Sequence, residues 1–267
     1  MRSITDCKVY EFRFCKKEQQ LSKQLWDKKA QTFPRFQKDT EDTLEILDFF
    51  RAQNVAFKDK TLLDIGAGNG RFALQLAFET KHIYATDISQ TMLSHLQEDA
   101  RGLGLENITT FVSSWEEFNI ESLGEIDIAF ASMTPALNNL AGFKKALGVG
   151  KEGLCYIGWG RVRESSFLDE IFAAHNIKVE LPVGLPQALQ WLKELGYKEP
   201  TYCYKEAGYT YKSDIQKAIN DIKWHISMHQ GEPDEEKIKA YVDKKQVNGY
   251  VSYEQKREVG ICFIPRI

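Results

Sequence analysis

Three glycines set two residues apart, Gly66, Gly68 and Gly70, close the apolar run from Thr61 to Ile65. A carboxylate, Asp87, closes the next such run about twenty residues later, the spacing at which an acid can meet a ribose. A bare backbone at a strand-to-helix turn lets a polar ligand lie against the unpaired amides of the helix start, and the acid can accept from both ribose hydroxyls. Together they point to a nucleoside ligand. A dinucleotide fingerprint, G-x-G-x-x-G, would need glycine at position 71, where the chain has Arg71, so a nicotinamide dehydrogenase is the least favoured reading. The alternative duty for Asp64 and Asp87 is in turns and helix caps, since Asp87-Ile88-Ser89 also reads as a helix start.

A second constellation is His225 and His229, four apart and therefore on one helix face, flanked by Trp224 and Met228. The pair could act as base and anchor for a substrate, or as two ligands of a transition metal. No third ligand is near in sequence and H-E-x-x-H is absent, so packing on an amphipathic helix is the stronger reading and no metal is expected. His82, His95 and His175 fall at ordinary strand and helix positions.

The elements that must position these groups alternate. Helical patterns cover Glu18 to Thr32, broken at Pro34, and Asp39 to Ala52, where Leu44, Ile46, Leu47, Phe49 and Phe50 are apolar. Strands are predicted at 61–65, 82–86, 108–112, 126–131 and 153–159, with helices at 70–79, 89–102, 136–147, 165–174 and through Leu189, Leu192 and Leu195. Such alternation with short connections predicts an α/β, doubly wound, Rossmann-like parallel sheet, with ligands beyond the carboxyl ends of its strands. After residue 205 the pattern changes: a strand from Tyr204 to Tyr211, a helix from Asp214 to Gln230, a helix opened by Pro233, and a final strand from Arg257 to Ile264.

At these residues the chain resembles the class I S-adenosylmethionine (SAM) dependent methyltransferases. Their first motif looks like Leu63-Asp64-Ile65-Gly66-Ala67-Gly68-Asn69-Gly70, and their second strand closes on an acid and an apolar residue, here Asp87 and Ile88. The resemblance covers roughly residues 60 to 200, the size of an ordinary domain. It implies SAM as cofactor. Gly66, Ala67 and Gly68 would face its methionine part, Asp64 would orient the loop or the amino group, Asp87 would bind the ribose, and Ile88 and Met92 would lie along the adenine. Where the family often has an acid accepting from the adenine amino group, this chain has Ser114, a neutral acceptor about half as strong. Trp115 beside it either stacks on the base or plugs the core.

The fourth strand runs into Ser132-Met133-Thr134-Pro135, so the Asn/Asp-Pro-Pro-Tyr/Phe tetrad of amino-methyltransferases is absent and base N-methylation is disfavoured. Ser132 and Met133 read as pocket walls. Trp26 and Phe33 lie in a segment similar to the lid that many small-molecule members place over SAM. The resemblance also implies that the last strand is antiparallel and that an insertion before it builds the substrate side. The expected divisions are an N-terminal helical lid (1–58), a SAM-binding core (59–205), a substrate-side insertion (206–254) and a final strand (255–267).

Composition fits an ordinary enzyme: 43% hydrophobic and 27% charged residues in 267, enough for a sizeable core. No apolar run is long enough for a bilayer span, and Arg2, Asp6, Lys8, Glu11 and Arg13 interrupt any secretory signal. Five scattered cysteines without C-x-x-C suggest a reducing cytoplasm. A net charge of −3 disfavours nucleic acid, although Arg13, Lys16, Lys17, Lys23, Lys28, Lys29, Arg35 and Lys38 form a local basic excess. At helical spacing these read chiefly as a solvated face. The sequence expectation is a cytoplasmic methyltransferase acting on a small molecule by in-line displacement. The alternatives are an RNA methyltransferase and a non-catalytic SAM- or metal-binding protein. The acceptor and the oligomeric state leave no mark in the sequence.

Overall fold

The computed structural model describes residues 16–178, 180–229 and 231–267, with side chains from residue 19 onward. The expectations for Cys7, Cys15, Arg13 and the interrupted signal segment lie outside the described residues, as does the expected helix end at Gln230.

Two helices precede the sheet: α1 (Lys16–Ala30) and α2 (Glu41–Ala52). The α2 sequence places Thr43, Ile46, Leu47 and Phe50 on one face, and those four are its buried residues. The alternating region then runs β1 (Thr61–Ile65), α3 (Arg71–Leu76), β2 (His82–Asp87), α4 (Gln90–Gly102), β3 (Ile108–Val112) and β4 (Ile128–Ser132). It continues through α5 (Leu140–Leu147), β5 (Gly153–Glu164), α6 (Ser166–Ala174) and α7 (Leu185–Glu194). The remaining elements are β6 (Tyr202–Glu206), β7 (Tyr209–Asp214), α8 (Ile215–Met228), α9 (Glu235–Lys245) and β8 (Tyr250–Pro265).

The strand order is β3-β2-β1-β4-β5-β8-β6. The pairs from β3 to β5 are parallel, while β8 is antiparallel to both β5 and β6. This is the predicted mostly parallel, Rossmann-like sheet with its last strand reversed. Because β1 is central and covered on both sides, Leu62 faces one core cluster with Phe50, Phe72 and Phe130, and Leu63 and Ile65 face the other with Trp115 and Phe143.

Several boundaries differ from the expectation, each for a tertiary reason. The predicted helix 136–147 begins as a 3-10 turn at Pro135–Leu137 and restarts at Leu140, capped by Asn139 accepting from the Gly142 amide. The predicted strand from Tyr204 to Tyr211 is two strands. β6 pairs one half of β8, and β7 pairs the other half as a separate ladder. The final strand starts at Tyr250 rather than Arg257, so the expected division at 255 falls inside it. A third core cluster gathers Phe167, Phe172, Ile219, Ile222, Ile226, Ile238, Val242 and Val251 from α6, α8, α9 and β8, giving the insertion an apolar core of its own.

Candidate functional site

Beyond the end of β1 the backbone turns sharply, and the Gly66 and Ala67 amides both donate to the Thr86 carbonyl at 2.8 and 3.0 Å. The first two loop glycines serve different needs. A Cβ on Gly66 would lie 2.0 Å from Thr134 Oγ1, so this position is reserved by packing against the end of β4. A Cβ on Gly68, at φ +56°, would meet nothing within 4 Å. Its bare face is therefore open, while the left-handed backbone still favours glycine there.

Asp87 is fastened to the loop. Its Oδ2 accepts from the Gly68 amide at 2.9 Å and its Oδ1 from the Ser89 amide at 2.8 Å. Burial raises its pKa and the proximity of Asp27 adds to this, while those two amides pull it back. Asp64, 4% exposed, accepts no hydrogen bond among the described residues. Burial first, and then the charge of Asp87, push its pKa up to about 7.

The helix expected to serve as a lid is α1, and it is held on two sides. Toward α4, Asp27 Oδ1 accepts from the Ser89 hydroxyl at 2.7 Å and the Thr91 amide at 3.1 Å, placing a carboxylate at the amino end of α4. Burial opposes its charge, yet hydrogen bonds from Lys23, Ser89 and Thr91 bring its pKa down to about 2. Gln19 donates to Glu116 in the loop after β3 at 2.6 Å. Toward the insertion, Lys29 pairs with Asp221 at 2.8 Å, and the Trp224 indole donates to the Leu25 carbonyl at 3.0 Å. The rings of Trp26 and Trp224 meet edge to face at 5.3 Å. Asp221, 7% exposed, also accepts from Tyr211 and Lys217, so the insertion presents a satisfied buried carboxylate to the lid.

The other expected residues divide. Ser132 and Met133 stand at the end of β4 against the glycine loop. Met133 takes φ +49°, uncommon for a non-glycine residue, with its amide on the Ile157 carbonyl at 2.8 Å. Ile88 is half-buried, and Met92 is buried under the start of α4, its amide capped by Ser89. Ser114 caps its own turn, accepting from the Glu117 amide. One expectation needs correcting. Trp115 is a core residue: it is buried, stacks with Phe118 and donates to the Gly142 carbonyl at 2.9 Å, which decides between its two readings. Phe33, 38% exposed, follows the end of α1 and precedes Pro34, whose carbonyl accepts from the Asn69 side chain of the glycine loop.

His225 and His229 share a face of α8 and both set their rings edge-on against Phe172. Burial, with the charges of Lys29 and Arg163, holds His225 down to about 3, and burial lowers His229 as well. Among the described residues no group of three His, Cys, Asp or Glu side chains is placed to hold a metal. Among the basic residues of the N-terminal segment, Lys23, Lys29, Arg35 and Lys38 each pair with a carboxylate. Among the described residues no helix is long and apolar enough to cross a membrane.

Asp27, Asp221 and Tyr211 belong to the network that ties α1 in place and were not singled out in the sequence, where Lys29 was read only as part of the basic excess. Their one signal was that Asp27 and Lys29 fell inside the expected lid.

Comparison with known proteins places this geometry. The profile of a family described as a methyltransferase domain matches residues 56–246. An uncharacterised protein of Haemophilus influenzae is 27% identical over 253 residues, spanning 87% of this chain and 85% of that one. A tRNA/tmRNA (uracil-C(5))-methyltransferase of Azotobacter vinelandii is 30% identical over 96 residues, which are 36% of this chain and 22% of that protein. Among solved structures, a candidate methyltransferase of Bacillus halodurans shares the fold at a TM-score of 0.52 with 14% identity, over 83% of this chain and 98% of that chain.

Proposed function

The chain belongs to the methyltransferase domain family and is a SAM-dependent methyltransferase, and from that premise we propose that it methylates a small molecule enclosed between α1 and the α8–α9 insertion. The observation that carries this reading is the lid tied on both sides: Asp27 to Ser89 and Thr91, and Lys29 and Trp26 to Asp221 and Trp224. A roof so fastened suits a small acceptor better than a polymer, which needs an open groove.

The residues fit the cofactor. Asp64 is a buried carboxylate with no hydrogen-bond partner among the described residues, next to the open face of Gly68; a cationic amino group would complete it. Asp87 uses one acceptor position on each oxygen for an amide, leaving each oxygen a further lone pair for a ribose hydroxyl. Ile88 and Met133 would wall the pocket. When bound, SAM supplies a methyl group on a positively charged sulfur.

The protein's part is then alignment and exclusion of water. Trp26 and Trp224 would close the roof. His225 is an uncharged imidazole at neutral pH and too weak a base to draw a proton from an alcohol, so it anchors the acceptor by accepting or donating one hydrogen bond. Cys155, Cys203 and Cys262 are free thiols, in keeping with a cytoplasmic setting.

Methylation of RNA is the less favoured reading. Of the N-terminal cations, Lys23, Lys29 and Arg35 are engaged by acids, which leaves Lys28 as an exposed cation without an ion pair among the described residues and little free charge for phosphates. The stretch shared with the tRNA enzyme is 22% of that protein. Methyl-labelled SAM, incubated with the protein and separately with the small-molecule and RNA fractions of a cell extract, tests the choice. Label is expected in the small-molecule fraction; label transferred to RNA would replace the reading.

A further inference from the structure

Arg163 lies on the part of β5 that projects beyond the parallel sheet. The parallel partners end at Ser132 and Ile157, and Trp159 follows about 7 Å further along the strand. The register then shifts between Trp159 and Arg163, and the Arg163 guanidinium folds back over the Trp159 ring, 5.0 Å from its centre. The cation thus sits over Trp159, past the last parallel pair of β4 and β5, Ser132 with Ile157. Arg163 is half-buried, yet it makes no hydrogen bond or ion pair among the described residues.

Its cross-strand neighbour is another cation, Arg257, an arrangement that disfavours the pair. The two are not equivalent. Arg257 donates to the Ala207 carbonyl and covers the Tyr209 ring, so its groups are used within the protein. Arg163 is left with an aromatic face on one side and open donors on the other. A cavity of about 360 Å³ opens beside it, lined also by Asp169, Ile177, Glu180 and Leu181, a volume in the usual range for small-ligand sites.

We propose that the acceptor carries a carboxylate and that Arg163, backed by Trp159, is the residue that holds it. This rests on the small-molecule reading and adds to it that the acceptor extends to the cavity beside Arg163. A planar guanidinium matches a carboxylate through two parallel hydrogen bonds, and the aromatic face behind it fixes its plane. The local charge fits a monoanion. Glu180 is paired with Lys178 at 3.5 Å, and Asp169 at the cavity acts on Arg163 by its charge without forming an ion pair, so a phosphate dianion would face two carboxylates with a single cation to offset it. His225 and His229, both kept neutral, add no competing charge.

The test titrates benzoate and its uncharged isostere benzamide into the protein, with and without S-adenosylhomocysteine, following the imidazole resonances of His225 and His229. The charge of Arg163 reaches both rings, so neutralising it moves their signals. Benzoate is expected to shift both histidines and benzamide to shift neither. Arg163→Gln should weaken benzoate by about ten-fold or more, and Arg163→Lys should recover part of the loss without the two-point geometry. Equal binding of benzoate and benzamide, no binding of benzoate, an unchanged Arg163→Gln protein, or tighter binding of inorganic phosphate would each overturn the assignment. Calorimetry of S-adenosylhomocysteine on wild type and Arg163→Gln is read separately. Its failure on wild type would count against the cofactor site, and equal affinity in both is expected if Arg163 serves the acceptor alone.

Discussion

The glycine loop, with the start of α4 beside it, and the α8–α9 insertion hold α1 from two sides, and they are built by opposite means. The loop is made of backbone amides and one carboxylate drawn from two neighbouring strand ends: Gly66, Gly68, Thr86, Asp87 and Ser89. The insertion meets the lid through side chains far apart in the chain, Lys29 on Asp221 and the Trp224 indole on the Leu25 carbonyl. The first surface is local and left open. The second is distant in sequence, apolar within and fully hydrogen-bonded where it touches α1. A cofactor shared across a family can be met by a short backbone motif, whereas an acceptor needs a chamber assembled from whichever segments the topology brings together.

The largest effect that would break this contrast is at the loop. Gly68→Trp should abolish SAM binding by calorimetry, a loss on the order of 100-fold or more, at a stability cost of about 1–2 kcal/mol for the left-handed backbone. Gly66→Val should instead unfold the loop, because its side chain would displace Thr134. If the Gly68 variant bound SAM normally, the open face would not be the cofactor surface.

On the opposite side, Asp221→Ala leaves Lys29 and the Tyr211 hydroxyl without their acceptor. It should lower stability by about 2–3 kcal/mol in urea unfolding while leaving SAM affinity within about two-fold. A large loss of cofactor binding would mean that the two regions are coupled through α1 rather than built separately.

A pH series sharpens the loop's side of the comparison. The pKa of Asp64 is raised from 3.8 to about 7, so the folded protein binds this proton more tightly than the unfolded chain. Stability without cofactor should therefore fall as pH rises from about 4 to 7 and level off above. Asp64→Asn should remove that slope, raising Tm at pH 8 but not at pH 4. SAM affinity should rise over the same window in wild type, since a cation favours the ionised carboxylate, and stay flat in Asp64→Asn.

The smallest effect belongs to the joint between the regions. Asp27→Ala removes an acid from the start of α4 and should cost about 1 kcal/mol in thermal unfolding. It should also raise amide exchange in α1, and unchanged exchange would show that the insertion alone holds the lid.

Much of the cofactor half was legible. The strand ends at Ile65 and Asp87, the glycine turn and the helix capped by Ser89 all fall where apolar runs meet turn-forming residues. The misread elements lie where a distant partner decides. Tyr204 to Tyr211 looks continuous, but Ala207 and Gly208 let the chain leave one half of β8 and join the other; a side chain on Gly208 would press within 2.7 Å of the Gln255 carbonyl. The stretch from Tyr250 to Lys256 lies ahead of the predicted final strand, yet it is strand because β5 and β7 supply its backbone partners. Trp115 could equally have faced a ligand; the Gly142 carbonyl and Phe118 settled it in the core.

By itself, then, the sequence determined the alternating sheet, the turn at Gly66 to Gly70 and the acid at Asp87, because each depends on spacing within one or two consecutive elements. Only the tertiary structure decided that α1 is clasped between Ser89 and Asp221, that burial lowers the His225 pKa and that Arg163 makes no ion pair among the described residues. Those are properties of what lies across from a residue. Burial and charge pairing across long loops are fixed by topology, which no local spacing records.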